Sequence, residues 1–392
     1  MLAAFTLGWA VIYADRTALY PLLSVIAGQL GLSSTQVGIL TSTYFLLYVA
    51  MQIPAGVAGD RWGLKKVLLA MYALSAVGIL GVGAAGTSYA TLLFFVALHG
   101  LGAGAYYPAA YGTLLQVVAP ERRGLSSAVI GVGMALGLLA GLAMSGPVYE
   151  ALDSYRAPFL ILSIPTLLML ACFAKAVPAV KCEVTPSWRD YRAILADREL
   201  WLINLATFTA LYGFWVAVTW GPTFLKLERG FSLGAAGLFT GLVALTAVPA
   251  GLFWGRLSDR YGRKPFALAI LPAAGITLYC LAIVESRPAI VATLLAFGLF
   301  SNSAFVPVMV AWTGDIVSRR YPGRMGAAIG VFNCVSMSAA VVAPTVSGYL
   351  RDASGSLVPA MVAGSALMVA GALLVALLPG RSTAAKVTEG TR

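Results

Sequence analysis

Asp15 and Arg16 stand side by side in a stretch, from about Leu2 to Leu30, that is otherwise apolar and rich in Gly, Ala and aromatic residues. As a helix this stretch is long enough to cross a bilayer, and charges at that depth are expensive and usually face a cavity. A guanidinium offers fixed, charge-assisted donors, so Arg16 is the candidate receptor for a carboxylate or phosphate. Asp15 is the candidate proton site, because a membrane carboxylate beside a substrate-binding cation can trade charge with the substrate. Neighbours on a helix point about 100° apart, so one of the two faces a pathway while the other meets an adjoining helix. A purely structural ion pair across helices would use the same residues. His99 is the lone histidine of the chain and also falls within an apolar stretch. It is the second candidate proton carrier, with a packing histidine as the plainer reading.

Weaker candidates lie on other apolar stretches. Tyr44, Tyr48 and Gln52 recur every four residues and share a helical face, and Phe208, Tyr212 and Trp215 do nearly the same. Such stripes serve packing as readily as binding. Asn302 and Asn333 can hydrogen-bond a polyol or an amide, or tie helices together.

Composition names the solvent that these residues work in. The chain is 60% hydrophobic and only 10% charged, where a soluble domain carries about 25% charge. Apolar stretches fall near 4–27, 34–57, 67–86, 90–117, 125–149 and 157–177, then 200–225, 233–254, 265–284, 289–312, 325–349 and 357–379. Backbone in lipid must satisfy its own hydrogen bonds, so these are twelve membrane-spanning helices of an all-α, polytopic membrane protein. The first stretch reads as a span and not as a cleaved leader. With both termini on the cytoplasmic side, 20 of the 26 Lys and Arg residues fall on that side. Only Arg156, Lys226, Arg229, Arg287 and Arg351 fall on the other, and Arg16 lies within a span. This is the bias expected of a cell-membrane protein with that orientation. The net charge of +11 is therefore topology facing the lipid bilayer, and it excludes nucleic acid as a partner. The four cysteines have no paired or metal-like spacing, and no catalytic constellation or cofactor site is visible.

The chain repeats itself at an offset of 199 residues. Gly31-Leu-Ser33 lies against Gly230-Phe-Ser232, Gly38 against Gly237, Pro108 against Pro307, Gly124 against Gly323 and Gly131 against Gly330, with no gap needed. The expected organisation is two six-helix halves, 1–177 and 200–380, around a central cavity. A linker at 178–199 joins them and a short tail follows at 381–392. The linker carries Trp188 and Tyr191 and is expected to form a short helix along the membrane surface. Parallel halves around one site imply alternating access, with the halves rocking against each other. One chain already encloses the pathway, so a monomer suffices.

The most specific repeated segment is Gly56-Val-Ala-Gly-Asp60-Arg61-Trp-Gly63-Leu-Lys65-Lys66, which returns as Gly255-Arg-Leu-Ser-Asp259-Arg260-Tyr-Gly262-Arg263-Lys264. A positive-inside turn explains its cations but not the duplicated aspartate and glycine. On these residues the chain resembles the major facilitator superfamily over nearly its whole length. The resemblance implies that Asp60 and Arg61, with Asp259, Arg260 and Arg263 as their counterparts, form a gating network that latches the halves. The run Tyr13-Ala-Asp15-Arg16-Thr-Ala-Leu and the later His99-Gly-Leu-Gly-Ala-Gly104-Ala-Tyr-Tyr107-Pro108-Ala resemble that superfamily's organic anion:cation symporters. That branch implies a small organic anion as substrate and H+ as coupling ion. The chain departs from it at Val96 and Ala103, where many relatives carry an arginine and an acid. The repeat sets Phe214 and Trp215 opposite Asp15 and Arg16, which leaves no second mid-span cation and favours a monoanion. The rival reading is a proton-driven efflux antiporter for drugs or metabolites. Its usual fifth-helix Gly-Pro pattern is incomplete in Gly133-Met-Ala-Leu-Gly137-Leu-Leu-Ala-Gly141.

Overall fold

The computed structural model describes residues 1–119, 122–180, 188–322 and 324–379, and every regular element among them is a helix. The first half contains α1 (Leu2–Thr17), α2 (Leu19–Leu30), α3 (Ser34–Trp62), α4 (Leu64–Ala85), α5 (Tyr89–Ala103), α6 (Tyr106–Val117), α7 (Arg123–Leu152) and α8 (Ala157–Ala176). The short α9 (Trp188–Leu195) occupies the expected linker position. The second half contains α10 (Arg198–Glu228), α11 (Leu233–Tyr261), α12 (Arg263–Ile283), α13 (Arg287–Phe300), α14 (Asn302–Arg320), α15 (Met325–Ser354) and α16 (Val358–Ala376). Twelve spans result, because α1 with α2, α5 with α6 and α13 with α14 each make one.

Two of these breaks bear on the site. The Thr17 hydroxyl donates back to the Tyr13 carbonyl at 2.7 Å, a bond that bends helices, and the first span changes direction just after Arg16. The fourth span turns at Gly104 and Ala105, where the ring of Pro108 opposes the carbonyl four residues earlier.

The halves are related as the repeat implies, with one change of register. Helices α3 and α11 begin and end 199 residues apart. Gly31 and Gly230 both adopt φ near +65° (62° and 68°), and Gly63 and Gly262 both turn at φ 95° and 94°. These conformations exclude most side chains. The fifth helices α7 and α15 instead begin and end 202 residues apart. The fourth span of the second half runs four residues further, to Arg320 where the counterpart of Val117 would be residue 316, and the connection after it is one residue shorter, a net shift of three. Gly131 is therefore not the structural counterpart of Gly330, and the pairing of Gly124 with Gly323 falls outside the described residues; the ungapped register stops before the fifth helix.

Facing stripes of small residues let the halves meet. Gly38 packs on the backbone of Pro344, and Gly348 on that of Ser34. Their counterparts Gly237 and Gly146 pack on Leu142 and on Leu233 and Gly234. All of these contacts lie toward the face opposite the chain termini. On the same stripes nearer the terminal face, Gly131, Gly255, Gly326 and Gly330 look onto open space. The halves are thus in backbone contact toward the opposite face, while nearer the termini Gln52 meets Asn333 across them.

Candidate functional site

Arg16 sits at the middle of the contact between halves and is 4% exposed. Its guanidinium lies over the Tyr13 ring at 3.5 Å, with Phe45 and Trp215 both at 5.1 Å and Tyr44 at 6.0 Å. Trp215 comes from the other half, and its ring is 4.5 Å from Phe45. The repeat set Trp215 opposite Arg16 in sequence, and the symmetry of the halves brings the two into contact. None of the three guanidinium nitrogens has a hydrogen-bond partner among the described residues. A buried cation–π contact contributes about 2 kcal/mol, against several kcal/mol for removing the ion from water. Aromatic faces alone leave the charge undercompensated. Unpartnered donors in a closed aromatic cage suit an anion.

Asp15 turns the other way, toward the interior of its own half, and is fully buried. It makes no ion pair with Arg16. Its Oδ2 lies 2.8 Å from the Thr166 hydroxyl on α8, while Oδ1 has no partner. The two charged groups take different partners, as neighbours on a helix do, yet both border the same small void. His99 on α5 reaches α4, with Nδ1 3.1 Å from the Ser75 carbonyl and 2.8 Å from the Ser75 hydroxyl. A carbonyl only accepts, so Nδ1 carries the hydrogen and Nε2 is left as a bare acceptor with no partner. Two glycines create this meeting: Gly78 of α4 lies on the backbone of His99, and Gly102 of α5 on that of Ser75. Asp15, Arg16, Tyr20, Thr41, Tyr44 and His99 line one enclosed void of ≈ 20 Å³, room for about one water. The structure thus brings both candidate proton carriers beside the candidate anion receptor.

The remaining candidates divide. Tyr44 and Tyr48 stack at 6.1 Å, and the Tyr44 ring is 5.3 Å from His99. The Gln52 carbonyl accepts from the Asn333 amide, joining α3 to α15 across the halves. Tyr212 is buried with its ring 6.3 Å from Phe208, and is not among the rings around Arg16. Asn302 opens α14 and lines neither cage nor void. Arg263 binds Asp259, Asp315 at 3.3 Å and the Ser258 hydroxyl at 3.0 Å, which ties α11, α12 and α14 within one half. Arg61, Asp259 and Arg260 are exposed, and the side chain of Asp60 lies outside the described residues. Sequence reasoning overlooked Tyr13, Tyr20, Thr41, Phe45, Ser75 and Thr166. Tyr13 and Tyr20 had a signal, being three before and four after Arg16 on one helical face. Thr41 and Phe45 had the same signal, standing three before Tyr44 and Tyr48 on α3; Ser75 on α4 and Thr166 on α8 had none.

The profile of the Major Facilitator Superfamily matches residues 5–244 and again 203–392. The chain is 28% identical to a probable sulfoacetate transporter of Cupriavidus necator, over 95% of this chain and 92% of that protein. It is 26% identical to a hexuronate transporter of Bacillus subtilis, over 93% and 90%. In structure it resembles a bacterial homolog of the human lysosomal transporter Spinster, inward-facing and unoccupied. The TM-score is 0.76 at 17% identity, covering 96% of this chain and 94% of the other. The twelve spans, the paired halves and the profile that matches each half agree: this chain is a multi-pass membrane transporter belonging to the Major Facilitator Superfamily.

Proposed function

We propose that the protein carries a small organic monoanion, a carboxylate or sugar acid, into the cell together with H+ by alternating access. The observation that carries this reading is the Arg16 guanidinium, buried between the halves with no nitrogen hydrogen-bonded among the described residues. A substrate carboxylate would complete it, with the Trp215 indole NH, also unpartnered, as a donor from the second half. A monoanion matches the single cation. The names of the relatives agree in the sign of the charge: the hexuronate transporter is named for a monoanion, the sulfoacetate and galactarate or D-glucarate transporters for dianions.

Asp15 is the first coupling group and His99 the second. The Thr166 hydroxyl has one hydrogen and two oxygens in reach, Asp15 Oδ2 and the Leu162 carbonyl, each at 2.8 Å. A proton on Asp15 would let Asp15 donate to Thr166 and Thr166 donate to Leu162, which satisfies the network. The void then offers the proton a short route toward His99 Nε2. Residues 1–177 and 200–380 act as the moving bodies, with 178–199 as linker and 381–392 as tail. The basic surplus argues that the terminal face is cytoplasmic and the membrane is the cell membrane. Asp60 and Arg61, with Asp259, Arg260 and Arg263, act as the gate that re-forms when the cytoplasmic ends approach. The efflux reading is weakened because the fifth-helix pattern lacks a proline after Gly137, with Gly146-Pro147 falling later.

The test is uptake into proteoliposomes of labelled glucuronate, sulfoacetate, lactate and a cationic dye, each with and without an inward proton gradient. Accumulation of an anion only with the gradient supports the proposal. Movement of the dye alone would establish the efflux reading instead, and anion uptake indifferent to pH would remove the coupling.

A further inference from the structure

We propose that the face opposite the termini is held shut by two symmetry-related carboxylate latches, Asp352 on the N-terminus of α3 and Glu150 on the N-terminus of α11, with Asp352 the stronger. The first amides of a helix have no partner within it and carry the positive end of its dipole. In both repeats the local cap serves only one of them. Ser33 accepts from Gln36 N, and Ser232 accepts from Ala235 N, the third helical residue in each case. The earlier amides are served from the other half. Asp352 at the end of α15 accepts from Ser34 N and Thr35 N, each at 2.8 Å, and from the Thr35 hydroxyl at 2.6 Å. Glu150 at the end of α7 accepts from Gly234 N at 3.2 Å.

The correspondence holds residue by residue. Thr35 and Gly234, whose amides the two carboxylates accept from, are 199 residues apart, and Glu150 and Asp352 are 202 apart, the offsets of their helices. One turn before each carboxylate stands a glycine, Gly146 or Gly348, whose missing side chain lets the helix backbone touch the start of its partner. The contacts are unequal. Asp352 accepts three short bonds and is joined by Arg351, which donates to the Ser34 hydroxyl at 3.1 Å. Glu150 accepts one longer bond, beside Lys226, which donates across the halves to the Ser24 hydroxyl at 3.3 Å. Both carboxylates join opposite halves, so both latches must part whenever this face opens. The bonds need the charged carboxylates, since a neutral amide is a weaker acceptor at a helix N-terminus.

Spin-label pairs, one bridging the opposite face and one the terminal face, give distance distributions in nanodiscs without any substrate. The result is thus independent of which anion is carried. The variants are Asp352→Asn, Glu150→Gln, their combination, and the charge-retaining Asp352→Glu. The expected result is a longer population across the opposite face, with a matching shorter one across the terminal face. The equilibrium should move on the order of tenfold for Asp352→Asn, less for Glu150→Gln, most for the pair and least for Asp352→Glu. The matched, opposite shifts separate opening from misfolding, which would broaden both distances. Unchanged distributions in the double variant would overturn the latches. An effect of Glu150→Gln equal to that of Asp352→Asn would overturn their ranking.

Discussion

Replacing Arg16 separates the cost of the residue from its use. In the empty protein the guanidinium is buried with no hydrogen-bond partner among the described residues, over the ring of Tyr13 and near those of Phe45 and Trp215. The ring contacts return about 2 kcal/mol, less than the several kcal/mol spent on desolvation. Arg16→Met fills similar volume without a charge, so it should raise the melting temperature of the empty protein by a few degrees. The same change should abolish anion binding. Truncating one partner of a buried charged pair costs about 2–5 kcal/mol, or roughly 30-fold to several thousand-fold in affinity. Arg16→Lys should recover only part of this, because an ammonium keeps the charge but loses the planar stack and the forked donors. Thermal unfolding with and without glucuronate or sulfoacetate reads both quantities in one assay. In the parent protein an anion at 100 times its Kd should add about 2.7 kcal/mol of stability, and in Arg16→Met it should add nothing. A well-inserted Arg16→Met that melts lower than the parent, or is still stabilised by the anion, would refute the argument that this charge is kept for a ligand.

Three further outcomes follow from the same geometry. Asp15→Asn should abolish gradient-driven accumulation yet spare exchange at equal pH, and His99→Gln should do so more weakly; accumulation that persists in both would exclude them as obligatory carriers. Asp60→Asn should favour opening of the terminal face, seen as longer label distances there, and unchanged distances with intact transport would end its role as a gate. Gly102→Val should push α5 off the backbone of Ser75, costing about 1–3 kcal/mol and displacing His99, so stability and coupling should fall together; parent-like melting and coupling would show that the contact is slack.

Much of the fold was legible because the bilayer leaves a chain few options. Uninterrupted apolar stretches of this length can only be helices in lipid. The duplicated Gly31 and Gly230, and Gly63 and Gly262, were readable as turns because a left-handed backbone selects glycine at a single position. Arg16 and Asp15 were conspicuous because charge in mid-span has few structural uses. Other matters required the assembled helices. The three-residue change of register in the fifth helices sits among interchangeable glycines, where sequence identity carries no phase. That Asp15 meets Thr166 and not Arg16, that Trp215 and Phe45 complete a cage from two halves, and that Ser75 fixes which buried nitrogen of His99 is left as a bare acceptor are contacts between different helices. Asp352 and Glu150 read only as loop acids until α3 and α11 placed their first amides beneath them. Local chemistry sets which residues are costly in a membrane. Which of them meet is decided by packing, because contact depends on the rotation and close approach of helices that no single stretch specifies.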